Sequence, residues 1–81
     1  MKIPRDIHAK ELILSLQKLD YTVTRKTGSH LRLTTEKNGV HHITIPMHNP
    51  LKIGTLNSIL NDVAQHFKID KTELLKILNL K

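Results

Sequence analysis

Between residues 21 and 46 apolar and polar side chains alternate, and this pattern limits the fold more than any other feature of the chain. Alternation with a period of two is typical of strands that bury one face. It occurs in three short runs, residues 21–26, 29–35 and 41–46, with Gly28 and Gly39 between them. Connections this short join antiparallel neighbours, so the pattern predicts a three-stranded antiparallel meander.

The pairing of the strands can also be predicted. We expect three-residue loops at residues 26–28 and 37–39, each with glycine as its third residue, where a left-handed backbone is favoured. This register collects the apolar side chains on one face, as a half-buried sheet requires. It pairs Val23 with Leu31, Leu31 with Ile45, Leu33 with Ile43 and His30 with Pro46.

Helical periodicity flanks the strands. Apolar residues at helical spacing before the strands are Ala9, Leu12, Ile13, Leu16 and Leu19, and those after the strands are Leu56, Ile59, Leu60, Val63 and Phe67. A short third helix is expected after Asp70, which pairs with Glu73 in a capping-box-like arrangement. The order predicts an α+β fold with α-β-β-β-α topology, as in double-stranded-RNA-binding domains, plus a short C-terminal helix.

Positive charge is concentrated in the middle of the chain. The 81 residues hold 13 Lys and Arg against 7 Asp and Glu. The segment 21–54 contains Arg25, Lys26, Arg32, Lys37 and Lys52 with Glu36 as its only carboxylate, and four of the six histidines, His30, His41, His42 and His48. This distribution favours an anionic partner such as nucleic acid, and a solvated basic surface is the alternative.

Other features exclude several classes of protein. The chain has no cysteine, so it has neither disulfides nor a thiolate metal site. No apolar run resembles a signal peptide or a membrane span, and we expect a single soluble, cytoplasmic domain with no membrane association. His41 and His42 are neighbours on a strand and face opposite sides, so they do not predict a metal site. One Tyr and one Phe are too few for a base-stacking platform.

Two histidines are candidates for acid–base chemistry. Alternation puts His30 on the polar face, and its pairing with Pro46 brings His48 to the same end of the sheet. The loop after His48 delivers Lys52 and a helix start near residues 54–55, where free N–H groups suit a phosphate. RNA cleavage needs a base for the 2′-hydroxyl, an acid for the leaving 5′-oxygen and cations for the phosphorane, and histidine suits both proton transfers.

The stretches IPRDIHAKELILSLQKLDYTVTRKTGSHLRL and ITIPMHNPLKIGTLNSIL resemble the HicA (YcfA-like) family of mRNA interferase toxins of type II toxin–antitoxin pairs. The resemblance rests on the Gly28-Ser29-His30 turn, Pro46-x-His48 and the Gly54-Thr55-Leu56 helix start. Asp20 stands where the family usually has glycine, and aspartate tolerates a left-handed helix end.

This resemblance implies a single HicA-like domain over residues 1–81 that cleaves mRNA without a metal or small-molecule cofactor. It also implies a HicB-like antitoxin partner. His30 matches the family's catalytic histidine, and His48 matches a histidine that is common there. The residues expected to contact RNA are Arg25, Lys26, Gly28, Ser29, Arg32, Lys52, Gly54 and Thr55. Two alternatives stay open from the sequence: a non-catalytic RNA-binding module on the same fold, and a module whose basic face binds an acidic protein.

Overall fold

Three strands and three helices follow one another in the predicted order over residues 3–80, the part of the chain that the computed structural model describes. The elements are α1 (Ala9–Leu16), β1 (Thr22–Thr27), β2 (His30–Thr35), β3 (His41–Pro46), α2 (Ile53–Phe67) and α3 (Lys71–Leu78), with a 3-10 turn at Gln17–Leu19. The strands form one antiparallel sheet in the order β1-β2-β3. The predicted α+β fold, with its double-stranded-RNA-binding-like topology, is confirmed.

Local interactions fix the ends of the helices. The N–H of His8 donates to the Glu11 side chain at 3.2 Å, so α1 begins after His8, and Asp6 lies outside the helix with φ 59°. The turn after α1 ends at Asp20 with φ 63°, the left-handed conformation expected for this residue. Asp70 caps α3 by accepting the Glu73 N–H at 2.8 Å, as the sequence predicted.

The pairing of β2 with β3 follows the predicted register. Leu31 pairs with Ile45, Leu33 with Ile43 and His30 with Pro46. The last pair before the loop is Thr35 with His41. A three-residue loop at residues 37–39 would have added one more pair, between Glu36 and Val40, in the same register. The alternation of β2 and β3 determined the face that each residue occupies, and the position of Gly39 in the loop selected the register.

The predicted register of β1 is wrong. Val23 pairs with Leu33 rather than with Leu31, and the first hairpin has a two-residue loop, Gly28-Ser29. Gly28 has φ +55° at the first loop position, as in type II′ turns, whose twist matches that of the flanking strands. The remaining residue is absorbed as a β-bulge between Val23 and Arg25.

The helices cover one face of the sheet. The core contains Leu33, Ile43 and Ile45 from the strands, Leu12 and Leu16 from α1, Leu56, Leu60 and Val63 from α2, and Leu74 and Leu78 from α3. By contrast, all six residues of β1 are exposed. On the other face of the sheet, where residues 3–80 place no helix, the strands present their polar side chains. Within residues 3–80 no helix has the length and apolar character needed to cross a membrane.

Candidate functional site

A shallow depression of about 180 Å³ lies on the uncovered face of the sheet, near the first hairpin. Its lining residues are Arg25, Thr27, His30, Arg32 and Thr44. All three strands contribute, and their alternation turns these side chains away from the core. Two guanidinium groups and one imidazole therefore share a small polar surface with two hydroxyls. No carboxylate is among the lining residues.

His30 is held by the sheet on both sides. As the first residue of β2 it pairs with Thr27 on β1 and with Pro46 on β3. Its side chain is exposed, and within residues 3–80 its ring makes no hydrogen bond. The backbone position is thus fixed by two neighbouring strands, while the side chain is exposed. This combination suits a residue that exchanges protons with a bound ligand.

The bulge in β1 determines which cations reach the depression. Thr24 faces outward, where its hydroxyl contacts the Thr34 hydroxyl at 2.8 Å, and Arg25 pairs with the outward-facing Arg32. These sequence neighbours share a face because the bulge interrupts the alternation. Lys26 pairs with Leu31 and therefore lies on the helix-covered side, at the open edge of the sheet. Of the adjacent pair of cations, the structure brings only Arg25 to His30.

The chain that leaves β3 is tied to the first hairpin. The Met47 N–H donates to the Ser29 carbonyl at 2.7 Å, which extends the contact between these segments beyond the last strand pair. His48 follows directly, and its N–H donates to the Pro46 carbonyl at 2.9 Å. The His48 side chain is exposed and is not among the residues that line the depression. Its backbone lies at the same end of the sheet as His30, as predicted.

The far end of this loop is anchored to α1. The Asn49 side chain accepts the Ala9 N–H at 3.2 Å, and the Leu51 N–H donates to the Ile7 carbonyl at 2.8 Å. The Asn49–Pro50 peptide bond is cis. His48 is therefore bracketed by two fixed points, Met47 on the hairpin side and Asn49 on the helix side.

The start of α2 is exposed close to this loop. Lys52 precedes the helix, Gly54 lies in its first turn with open space around its Cα, and Thr55 is half-buried. Within the described residues no side chain caps this helix start, so its first N–H groups can receive an anion. None of Lys52, Gly54 and Thr55 lines the depression. The helix start is a separate feature from the His30 surface.

A polar cluster at the opposite end of the sheet was not predicted from the sequence. The Tyr21 hydroxyl contacts His41 Nδ1 at 2.6 Å, and His41 Nε2 contacts an Asp62 carboxylate oxygen at 3.2 Å. The His66 ring stacks on the His41 ring with centroids 4.4 Å apart, and His66 Nε2 contacts the Lys37 carbonyl at 3.0 Å. These contacts connect Tyr21, the residue before β1, with the loop between β2 and β3, the start of β3 and the second half of α2.

This cluster has a structural role. Tyr21 is fully buried, and its burial together with the nearby Asp62 carboxylate raises the pKa of its phenol well above the usual range. His41 pairs with Thr35, a buried residue, whereas its neighbour His42 faces outward and contacts the Thr34 hydroxyl at 2.7 Å. The parity that His41 shares with Ile43 was a sequence signal for its inward position. His41 therefore lies on the face opposite His42, as expected for neighbours on a strand, although both belong to the basic segment 21–54 of the sequence.

The described residues offer no obvious metal site. Within residues 3–80 no group of three or more His, Asp or Glu side chains is arranged to hold an ion.

A comparison with protein families matches the family model for the HicA toxin of bacterial toxin–antitoxin systems to residues 9–64, more than half of the chain. The chain belongs to the HicA toxin family. The match extends from the start of α1 into α2, so it includes all three strands and every candidate site residue. Membership of the HicA family implies a partner antitoxin. The comparisons with curated proteins and with solved structures gave no match.

Proposed function

We propose that this HicA-family protein is an endoribonuclease that cleaves mRNA, with His30 as a general acid or base. The observation that carries the proposal is the depression in which His30 lies beside Arg25 and Arg32. Membership of a toxin family supports an activity that harms its host. A proton-transfer residue next to two permanent cations is the arrangement that phosphodiester cleavage requires.

The proposed reaction uses the 2′-hydroxyl of RNA as its nucleophile. A base removes the 2′-hydroxyl proton as the oxygen attacks the adjacent phosphorus, and the bond from phosphorus to the 5′-oxygen breaks. An acid donates a proton to that 5′-oxygen, so the products are a 2′,3′-cyclic phosphate and a free 5′-hydroxyl. Neither step consumes water or needs an oxidant. Proton transfer of this kind contributes roughly 10²–10⁴ to the rate.

The arginines would bind the phosphate and stabilise the charge that develops on it. Guanidinium groups present several N–H donors in a plane, which suits non-bridging phosphate oxygens. Arg25 and Arg32 are cross-strand partners, and within residues 3–80 neither forms an ion pair. Their charge is therefore free to bind substrate. Gly28 and Ser29 form the turn beside His30, where backbone groups could contact the RNA chain.

His48 is the proposed second proton-transfer group, placed in the loop that leaves β3. Because a loop residue is less constrained than a strand residue, we expect His48 to contribute less than His30. Lys52, Gly54 and Thr55 would bind a neighbouring phosphate at the start of α2, away from the cleavage point. The RNA would then extend from the sheet surface towards the helix.

The decisive experiment compares RNA cleavage by purified wild type with cleavage by His30→Ala. We expect this substitution to abolish cleavage while the fold and most of the RNA affinity are kept. His42→Ala is the matched control, because His42 faces the same side of the sheet and lies outside the depression. It should cleave at close to the wild-type rate.

Three further measurements test the chemistry. His48→Ala should reduce the rate by a smaller factor than His30→Ala, and a reaction that needs one acid and one base should give a bell-shaped pH–rate profile. Product analysis should detect the cyclic phosphate, and EDTA should leave the rate unchanged. Wild-type cleavage by His30→Ala would refute the proposal, and RNA binding without any cleavage would favour a non-catalytic RNA-binding module.

A further inference from the structure

The outer edge of β1 is open. β1 is the first strand of the sheet, and within the described residues no other strand pairs with its outer side. All six of its residues are exposed, including Val23, which pairs with buried Leu33 yet is 48% exposed itself. An edge strand presents unpaired N–H and C=O groups that can pair with another extended segment. β1 is therefore a strand that is uncovered on its edge and on both faces.

The charge on this edge selects a partner. Arg25 faces the side of the depression and Lys26 faces the opposite side, so a strand added beside β1 would meet a cation on each face. Cross-strand pairs of opposite charge stabilise a sheet, and like charges destabilise it. The other free edge, β3, has no lysine or arginine between His41 and Pro46. Charge thus favours an acidic segment on the β1 edge.

The edge also lies close to the proposed nuclease site. Thr27 of β1 pairs with His30, and Arg25 lines the depression. Neighbouring strands are about 4.8 Å apart, so a strand added to β1 would lie about 10 Å from β2. Acidic side chains of the added strand that face the same side as the depression would reach Arg25 and take the place of an RNA phosphate. Occupation of the edge would therefore interfere with substrate binding at the depression.

We propose that the free edge of β1 binds an extended acidic segment of the partner antitoxin, which adds to the sheet as a fourth strand. This proposal rests on the proposed function in one respect, namely that the partner acts as an inhibitor of the nuclease. The added backbone pairs with β1, its acidic side chains neutralise Arg25, and its apolar side chains cover Val23 on the other face. Strand addition supplies affinity through main-chain hydrogen bonds and specificity through alternating side chains.

A second copy of this chain suits the edge less well. Antiparallel pairing of two β1 strands would collect Arg25 and Lys26 of both copies along one short ribbon, which gives four cations and no carboxylate on the paired strands. Repulsion between these charges opposes self-association, and lysine on an edge strand is a known means of preventing it. An acidic segment meets no such barrier.

The test uses a synthetic peptide of eight residues in which glutamate and valine alternate. Its length slightly exceeds that of β1, which spans about 20 Å at roughly 3.3 Å per residue. Binding to isotopically labelled protein is followed by amide chemical shifts, which require no RNA cleavage. Two further peptides carry N-methyl groups on all valine amides or on all glutamate amides. A fourth peptide replaces every glutamate with lysine.

Strand addition predicts that amide shifts are concentrated in residues 22–27. One N-methylated peptide should lose binding and the other should keep it, because only one alternating set of amides faces β1. Charge reversal in the double variant Arg25→Glu/Lys26→Glu should weaken binding by about tenfold or more. Lys10→Glu, an exposed change on α1, is the matched control and should leave the affinity unchanged. The lysine peptide should not bind.

Several results would overturn this proposal. They are equal binding of both N-methylated peptides, shifts centred on the helices, absence of binding at millimolar peptide, and self-association of the protein through β1. The first result would mean that only charge attracts the peptide. Failure of the nuclease proposal gives a different result: wild-type protein would leave RNA intact, and this can be observed whether or not the peptide binds.

Discussion

Replacement of Tyr21 by phenylalanine tests the buried cluster that holds the second hairpin to α2. The change removes one hydroxyl and leaves His41 Nδ1 without the partner it has at 2.6 Å. The aromatic ring keeps its place against Phe67, whose ring centroid lies 6.2 Å away. Loss of one hydrogen bond with its partner left partly buried costs about 1–2 kcal/mol. For a domain of this size the melting temperature should fall by about 4–8 °C per kcal/mol.

The same substitution should change how stability depends on pH. Burial and the Asp62 carboxylate raise the pKa of Tyr21 in the folded state, whereas an unfolded tyrosine ionises near pH 10. Above about pH 10 the folded protein holds a proton that the unfolded chain releases, so stability falls as pH rises, by about 1.4 kcal/mol per pH unit. Below that pH the contribution is fully present. The phenylalanine variant lacks this contribution to the pH dependence of stability. Both proteins have the same lysines, so any effect of the lysines on stability cancels in the comparison.

Urea denaturation of both proteins from neutral pH to about pH 11 measures the difference directly. The stability gap should be largest at neutral pH and should shrink above about pH 10. Tyr21 is the only tyrosine and the chain has no tryptophan, so ultraviolet absorbance of the phenolate reports on this one residue. A gap that stays constant over the whole range, or a variant as stable as wild type at neutral pH, would refute the account of the cluster.

Three other predictions follow from local geometry. Gly28→Ala should destabilise the protein by about 1–2 kcal/mol through backbone strain alone, because φ is +55° and nothing lies near the added Cβ; an unchanged urea midpoint would contradict this. Asp70→Ala should cost about 1 kcal/mol through loss of the α3 cap, measured in the same way, and a neutral result would mean that the cap is unimportant. Arg25→Ala should make the salt dependence of RNA binding shallower by about 0.7 in the log–log slope, whereas Lys26→Ala should have less effect; equal effects would show that both faces contact RNA.

The sequence predicted the fold because its alternation and helical periodicity agree with each other. The face of each residue in β2 and β3 followed from period-two spacing, and the position of His30 opposite Pro46 followed from that spacing together with the loop at Gly39. The first hairpin could not be decided in this way. A three-residue loop and a two-residue loop with a bulge both put Gly28 at a position with a left-handed backbone. The choice between them depends on how the strands twist against each other.

What the sequence does not show is contacts between distant segments. The inward position of His41 follows from alternation, but the stacking of its ring on His66 of α2 does not. No spacing rule relates residues on a strand and a helix that meet only after folding. The sequence also predicted that Lys26 and the start of α2 lie near His30, whereas neither is among the residues that line the depression.

The bulge in β1 also accommodates one extra residue between two fixed points of the chain. Tyr21 is locked into the core at one end, and the Gly28 turn is set by its backbone at the other. The chain between them is one residue longer than a regular ladder needs, and Thr24 takes up the excess. Removal of Thr24 would thus leave every strand pair intact, whereas insertion of a residue would need a second irregularity.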